Sequence, residues 1–122
     1  GIPGLNLLPN LEAGSKIPRK TIFGESFAHD VLDFENPLKT LIYRWVIERK
    51  WKLLLTYDGI ISRFSAVLPR EEMRPQLYDL IADPHETKNL AAGNPDVVAK
   101  MVGQINNWYE VDQVNALTVW KK

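Results

Sequence analysis

Thr40-Leu41-Ile42-Tyr43-Arg44-Trp45-Val46-Ile47-Glu48-Arg49-Lys50-Trp51-Lys52-Leu53-Leu54-Leu55-Thr56 is the stretch that decides the fold. From Thr40 to Glu48 side chains alternate with a period of two. Leu41, Tyr43, Trp45 and Ile47 lie on one face; Ile42, Arg44, Val46 and Glu48 lie on the other. Arg49-Lys50 is then a tight connection to a second apolar run, Trp51 to Thr56. Two strands this close pair as an antiparallel hairpin. The connection lacks the Gly or Asn that a two-residue loop prefers, so the turn type stays open.

Upstream, Thr21 to His29 reads as a strand with Gly24 inside it. A glycine there marks a bulge or a close approach by another backbone. Asp30 to Lys39 is a polar connection containing Asn36-Pro37. Residues 1–20 read as a lead-in, because Gly1, Pro3, Gly4, Pro9, Gly14 and Pro18 punctuate too often for a helix or strand. Leu5, Leu7 and Leu8 are expected to dock onto something, and a chain opening in such a segment has the look of one cut from a longer polypeptide.

Downstream, Asp58-Gly59 signals a turn, and Ile60, Ile61, Phe64, Val67 and Leu68 suggest a partly buried loop or short strand. Gln76 to Leu80 is a further short strand. Asp83-Pro84-His85-Glu86 offers an N-cap acid, a proline at the first helical position and a Glu at N3, predicting a helical turn to about Leu90. Asn94-Pro95-Asp96 repeats the pattern. After it Val97, Val98, Met101, Val102, Ile105, Trp108 and Tyr109 recur at helical spacing, the most secure element of the chain. Val111 to Lys122 either extends that helix or crosses the sheet. The sum is an α+β domain over residues 1–122, a small antiparallel sheet of about four strands with the terminal helix on one face.

The 122 residues are one domain's worth. Lys plus Arg number 15 and Asp plus Glu number 15, a balance that argues against nucleic acid or an anionic membrane as partner. No apolar run approaches the roughly 18 residues of a membrane span, and Gly1 to Pro9 has no basic n-region of a signal peptide. The absence of cysteine excludes disulfides, thiolate metal sites and cysteine nucleophiles, and leaves the compartment open.

Gln76-Leu77-Tyr78-Asp79-Leu80-Ile81-Ala82-Asp83-Pro84-His85-Glu86-Thr87-Lys88-Asn89-Leu90-Ala91 resembles the C-terminal signature of sulfatases of the sulfamidase and arylsulfatase type. Leu77, Tyr78, Asp79, Leu80, Asp83, Pro84, Glu86, Asn89 and Leu90 carry the match; Gln76 stands where the family usually has Glu. Tyr43 to Ile47 with Trp51-Lys52-Leu53 is similar to the family's hairpin, Ile22-Phe23-Gly24-Glu25 to the strand opening the subdomain, and Asn6-Leu7-Leu8-Pro9 to the segment closing the catalytic domain. The resemblance implies the C-terminal subdomain of an enzyme that hydrolyses sulfate esters or sulfamates, with carbohydrates or aryl sulfates as substrates. It also implies a formylglycine nucleophile and a calcium ion, both in a larger N-terminal domain. No C/S-x-P-S-R motif or paired Asp-Asp motif occurs here, so the chain alone is expected to be inert, to pack on the catalytic domain of the same polypeptide and to form a wall of the substrate cleft. Many relatives are exported, so the resemblance allows a periplasmic or secreted parent. The alternative is an autonomous module holding a glycan or another protein. A large exposed apolar face with self-association would mark the first reading.

Three residues stand as candidate substrate contacts, and His29 among them could meet an anionic sugar. His29 ends a strand beside Asp30, although a surface histidine near a loop is the simpler reading. Glu25 and Arg44 are interior polar residues of their strands, and a cross-strand ion pair between them competes with substrate contact. The planar guanidinium of Arg44 would suit sulfate or carboxylate. His85 is expected to be exposed, and the histidines have no metal-ligand spacing. Asp79, Asp83 and Asn89 do not fit a calcium loop, and Asp83 and Glu86 read as caps. Of Trp45, Trp51, Trp108 and Trp120, at least three read as core or interface, and Trp120 as a contact residue.

Overall fold

The computed structural model describes residues 5–27, 34–35, 37–58, 74–108 and 117–118. The hairpin is the centre of a sheet with strand order β1-β2-β3-β4, antiparallel throughout: β1 (Thr21–Phe27), β2 (Leu41–Glu48), β3 (Trp51–Asp58) and β4 (Gln76–Asp79). Helix α2 (Pro95–Trp108) covers one face, as the α+β reading expects; α1 (Leu8–Glu12) precedes the sheet. A two-residue strand, β5 (Leu117–Thr118), pairs with β3 at Tyr57 and Asp58, a sheet contact within residues 111–122.

Helix α2 buries Val98, Met101 and Ile105, the inward stripe of its helical spacing, against Leu41, Val46, Leu53, Leu55, Tyr57 and Leu77. Burying side chains of this size stabilises the fold by about 1.5–3 kcal/mol each. The covered face of β2 is therefore the one that carries Arg44 and Val46. Leu41 joins it although strict alternation places it opposite. The β1–β2 register shifts between Ser26 and Phe27, where Ile42 is the extra residue of β2, and this bulge turns Leu41 to the helix side.

Several local expectations are corrected. Residues 8–12 of the lead-in are helical, because Pro9 occupies the first turn and Gly14, at φ +59, ends the helix. Gly14 N–H bonds Leu11 O at 3.3 Å and Ser15 N–H bonds Asn10 O at 2.9 Å, the paired bonds of a Schellman ending. Pro37–Thr40 is a 3-10 turn, so β2 begins at Leu41 rather than Thr40. Residues 83–90 form no helix. Glu86 N–H bonds Asp83 O at 3.1 Å to close one turn, and Glu86 then takes φ 56, which stops helical propagation. The hairpin turn has positive φ at its first loop residue alone, Arg49 at φ 55, the pattern of a type II′ turn without its glycine. The segment from Ile60 to Leu68 and Trp120 lie outside the described residues.

Candidate functional site

Arg44 has no exposed surface. Its Nη2 donates to the Ile105 carbonyl at 2.5 Å and its Nη1 to the Tyr57 hydroxyl at 3.3 Å. Ile105 lies in the last turn of α2, whose carbonyls have no partner further along the helix, so the guanidinium satisfies one of them and meets the negative end of the helix dipole. The Trp108 ring centroid is 5.9 Å from the guanidinium carbon and that of Tyr57 is 6.0 Å. Phe23 stacks on Trp108 at 5.2 Å, closing the assembly from β1. Burial raises the Tyr57 hydroxyl pKa above its ordinary value, against the pull of the Arg44 charge. In this fold Arg44 therefore faces protein. The register sets Glu25 directly opposite it, with the rest of Glu25 exposed to solvent. His29 lies outside the described residues.

Residues 76–91 build a polar brace on the far edge of the sheet. Lys50 Nζ donates to Asp79 Oδ2 at 2.7 Å, while Asp79 Oδ1 accepts the Ile81 and Ala82 amides at 3.1 and 3.2 Å. Asp83 accepts from Lys88 N at 2.8 Å and Thr87 Oγ1 at 3.1 Å, so it caps a loop rather than a helix. Glu86 is not a cap: both its oxygens accept from Lys52 Nζ, at 2.6 and 2.7 Å. Asn89 Oδ1 takes the Leu77 amide at 3.1 Å and the Leu90 amide bonds Leu77 O at 2.8 Å, which satisfies the outer edge of β4. Asn89 Nδ2 also donates to Pro75 O at 3.2 Å. Tyr78 is buried with its hydroxyl donating to Gln76 at 2.6 Å. Pro84 and His85 are exposed, and Leu80 continues the ladder to Lys50 O at 2.8 Å.

Trp45 lies across Gly24 on the uncovered face: a Cβ at position 24 would sit 2.0 Å from the indole Cζ2. Gly24 thus admits a side chain from the neighbouring strand, where a bulge or a backbone approach was expected. Trp51 is half-buried beside the core, with Lys50 Nζ 4.5 Å above its ring. Trp108 remains 40% exposed.

The lead-in and the hairpin tip enclose an open groove of about 780 Å³, lined by Leu7, Ile17, Ile22 and Ile47 with Arg19, Lys20, Glu48 and Arg49 at its rim. Leu5, Leu8 and Leu11 are also exposed nearby in the chain. Sequence reasoning marked the leucines as docking residues but did not find the groove, which needs the β1–β2 pairing to bring Ile22 and Ile47 together.

Among the described residues no group of three or more His, Cys, Asp or Glu is placed to hold a metal ion, and no helix is long and apolar enough to cross a membrane. With no C/S-x-P-S-R motif in the chain no residue here fits a formylglycine precursor, and among the described residues no acidic group is placed to hold calcium.

No protein-family model and no curated protein matches the chain by sequence. Among solved structures, the fold matches part of a Bacteroides thetaiotaomicron protein labelled "6S-sulf", solved in work on how a core genetic locus orchestrates the metabolism of multiple glycosaminoglycans. The TM-score is 0.59 at 24% identity, over 83% of this chain and 18% of that one. The fold is thus shared with part of that protein, and the chain spans under a fifth of its length.

Proposed function

We propose that the chain is the C-terminal, non-catalytic part of a sulfatase that hydrolyses sulfate esters or sulfamates of carbohydrates. Its role is to pack on the catalytic domain of the same polypeptide and to form a wall of the substrate cleft. The observation that carries this reading is the fold match to a small part of a much longer sulfatase. Two further features support it. The residues of the signature-like stretch brace the sheet edge. The lead-in leaves Leu5, Leu7, Leu8, Leu11 and Ile17 exposed, an aliphatic surface that a larger domain would cover.

With Arg44 committed to α2, substrate contact falls to Glu25, at the exposed margin of β1, and to His29, the one suited to an anionic sugar. The test is inorganic sulfate release from O- and N-sulfated glycosaminoglycan oligosaccharides. It compares the product of the whole reading frame that encodes this chain with the 122 residues alone. Sulfate released by the whole product and not by the isolated chain is expected. Release by the isolated chain, or none by the whole product, overturns the proposal.

A further inference from the structure

We infer that the groove between the lead-in and the hairpin tip is a docking site for an acidic, aliphatic peptide segment. The inference rests on the proposed function in one respect, that the occupant belongs to a protein. Its floor is aliphatic: Leu7, Ile17 and Ile22 keep 38%, 47% and 43% of their surface exposed, beside the half-buried Ile47. An unfilled aliphatic floor favours a partner that brings apolar side chains. Among the described residues no aromatic ring lines the groove, so they offer no platform on which the C–H face of a sugar stacks.

The rim sets the charge of the partner. Arg19, Lys20 and Arg49 stand around the groove with one acid, Glu48. Glu48 is engaged by Lys100 from α2, so it does little to neutralise the rim. Arg19 and Lys20 make no side-chain hydrogen bond or ion pair among the described residues. Arg49 is held at the hairpin apex with φ 55, a backbone state that favours glycine and costs an arginine energy. An excess of cations around an apolar trough is complementary to a segment in which carboxylates flank aliphatic side chains.

The experiment titrates the isotope-labelled 122-residue chain with a short synthetic peptide of alternating glutamate and leucine, read by two-dimensional amide NMR. Saturable shifts at Leu7, Ile17, Ile22 and Ile47 are expected, weakening with added salt. An Arg19→Glu, Arg49→Glu double variant with an otherwise unchanged spectrum should bind about tenfold more weakly. The absence of saturable shifts, or an equal response to a lysine–leucine peptide, overturns the assignment. So does a sulfated disaccharide that moves these amides when the peptide does not, which makes the groove a glycan subsite. Shifts at the same amides on raising protein concentration alone give the groove to a second copy instead. Sulfate release by the whole reading frame is read separately, so a failed titration removes the groove assignment and leaves the enzyme assignment standing.

Discussion

Arg44 shows how much a single residue's environment decides. A buried cation without partners is expensive, and this one is tied to the Ile105 carbonyl, the Tyr57 hydroxyl and the Trp108 face. Arg44→Ala is expected to cost about 3 kcal/mol or more, since it opens a cavity and strands the helix carbonyl. Arg44→Met, which keeps most of the volume, should cost less; urea titration of both checks the order. An equal loss in both would mean that the filled volume contributes little and that the lost guanidinium hydrogen bonds carry the cost. Gly24 makes a second residue-level prediction. Gly24→Ala should destabilise by about 1–3 kcal/mol, because the new methyl enters the Trp45 indole. In a Trp45→Leu background most of that cost should vanish, and additive losses in the double-mutant cycle would contradict the contact. That Arg44 needed a partner was legible from the apolar alternation around it. That the partner lies 61 residues onward, on a helix end, was not, because periodicity places a residue on a face and says nothing of what closes over it.

At the level of elements, the hairpin, β1, β4 and α2 were legible because each carries an unbroken period or a clear start signal. The errors came where one residue changes the meaning of its neighbours. The bulge at Ile42 moved Leu41 across the sheet. Pro9 and Gly14, read as breakers, are the start and stop of α1. Asp83-Pro84 opens a turn that Glu86 ends, because the pull of Lys52 and a positive φ override the capping pattern. The brace it belongs to can be tested directly. Asn89→Ala should cost about 1 kcal/mol and speed hydrogen exchange at the Leu77 amide ahead of the rest of β4; uniform exchange across the sheet would refute the brace. Acid should loosen the same region. The Lys50 hydrogen bond, with the Ala82 and Ile81 amides, holds the Asp79 carboxyl below its ordinary 3.8. The Lys88 and Thr87 amides do so for Asp83, and Lys100 holds Glu48 below 4.5. Depressed folded values mean that the charged forms stabilise the fold. Their contribution is complete above the ordinary values and is lost as pH falls below them. The urea midpoint should stay level down to about pH 5 and then decline; a midpoint flat through pH 3 would count against these contacts.

For the whole molecule, the fold class was readable from element order alone, and the structure has it: an antiparallel sheet of four main strands under a C-terminal helix. The site was less legible. Of the three candidate substrate contacts, Arg44 is buried, Glu25 lies at an exposed margin and His29 is outside the described residues. The groove was invisible in sequence because its walls come from segments some thirty residues apart, joined only by strand pairing. The described residues form a braced, packed sheet with an aliphatic flank, the surface that the proposed packing on a catalytic domain would use. The measurement that bears on this most directly is the natural gene sequence upstream of the codon for Gly1. The expected result is an in-frame C/S-x-P-S-R motif with acidic residues able to hold calcium, within one continuous reading frame. A stop codon there, or an unrelated domain, would contradict the sulfatase assignment.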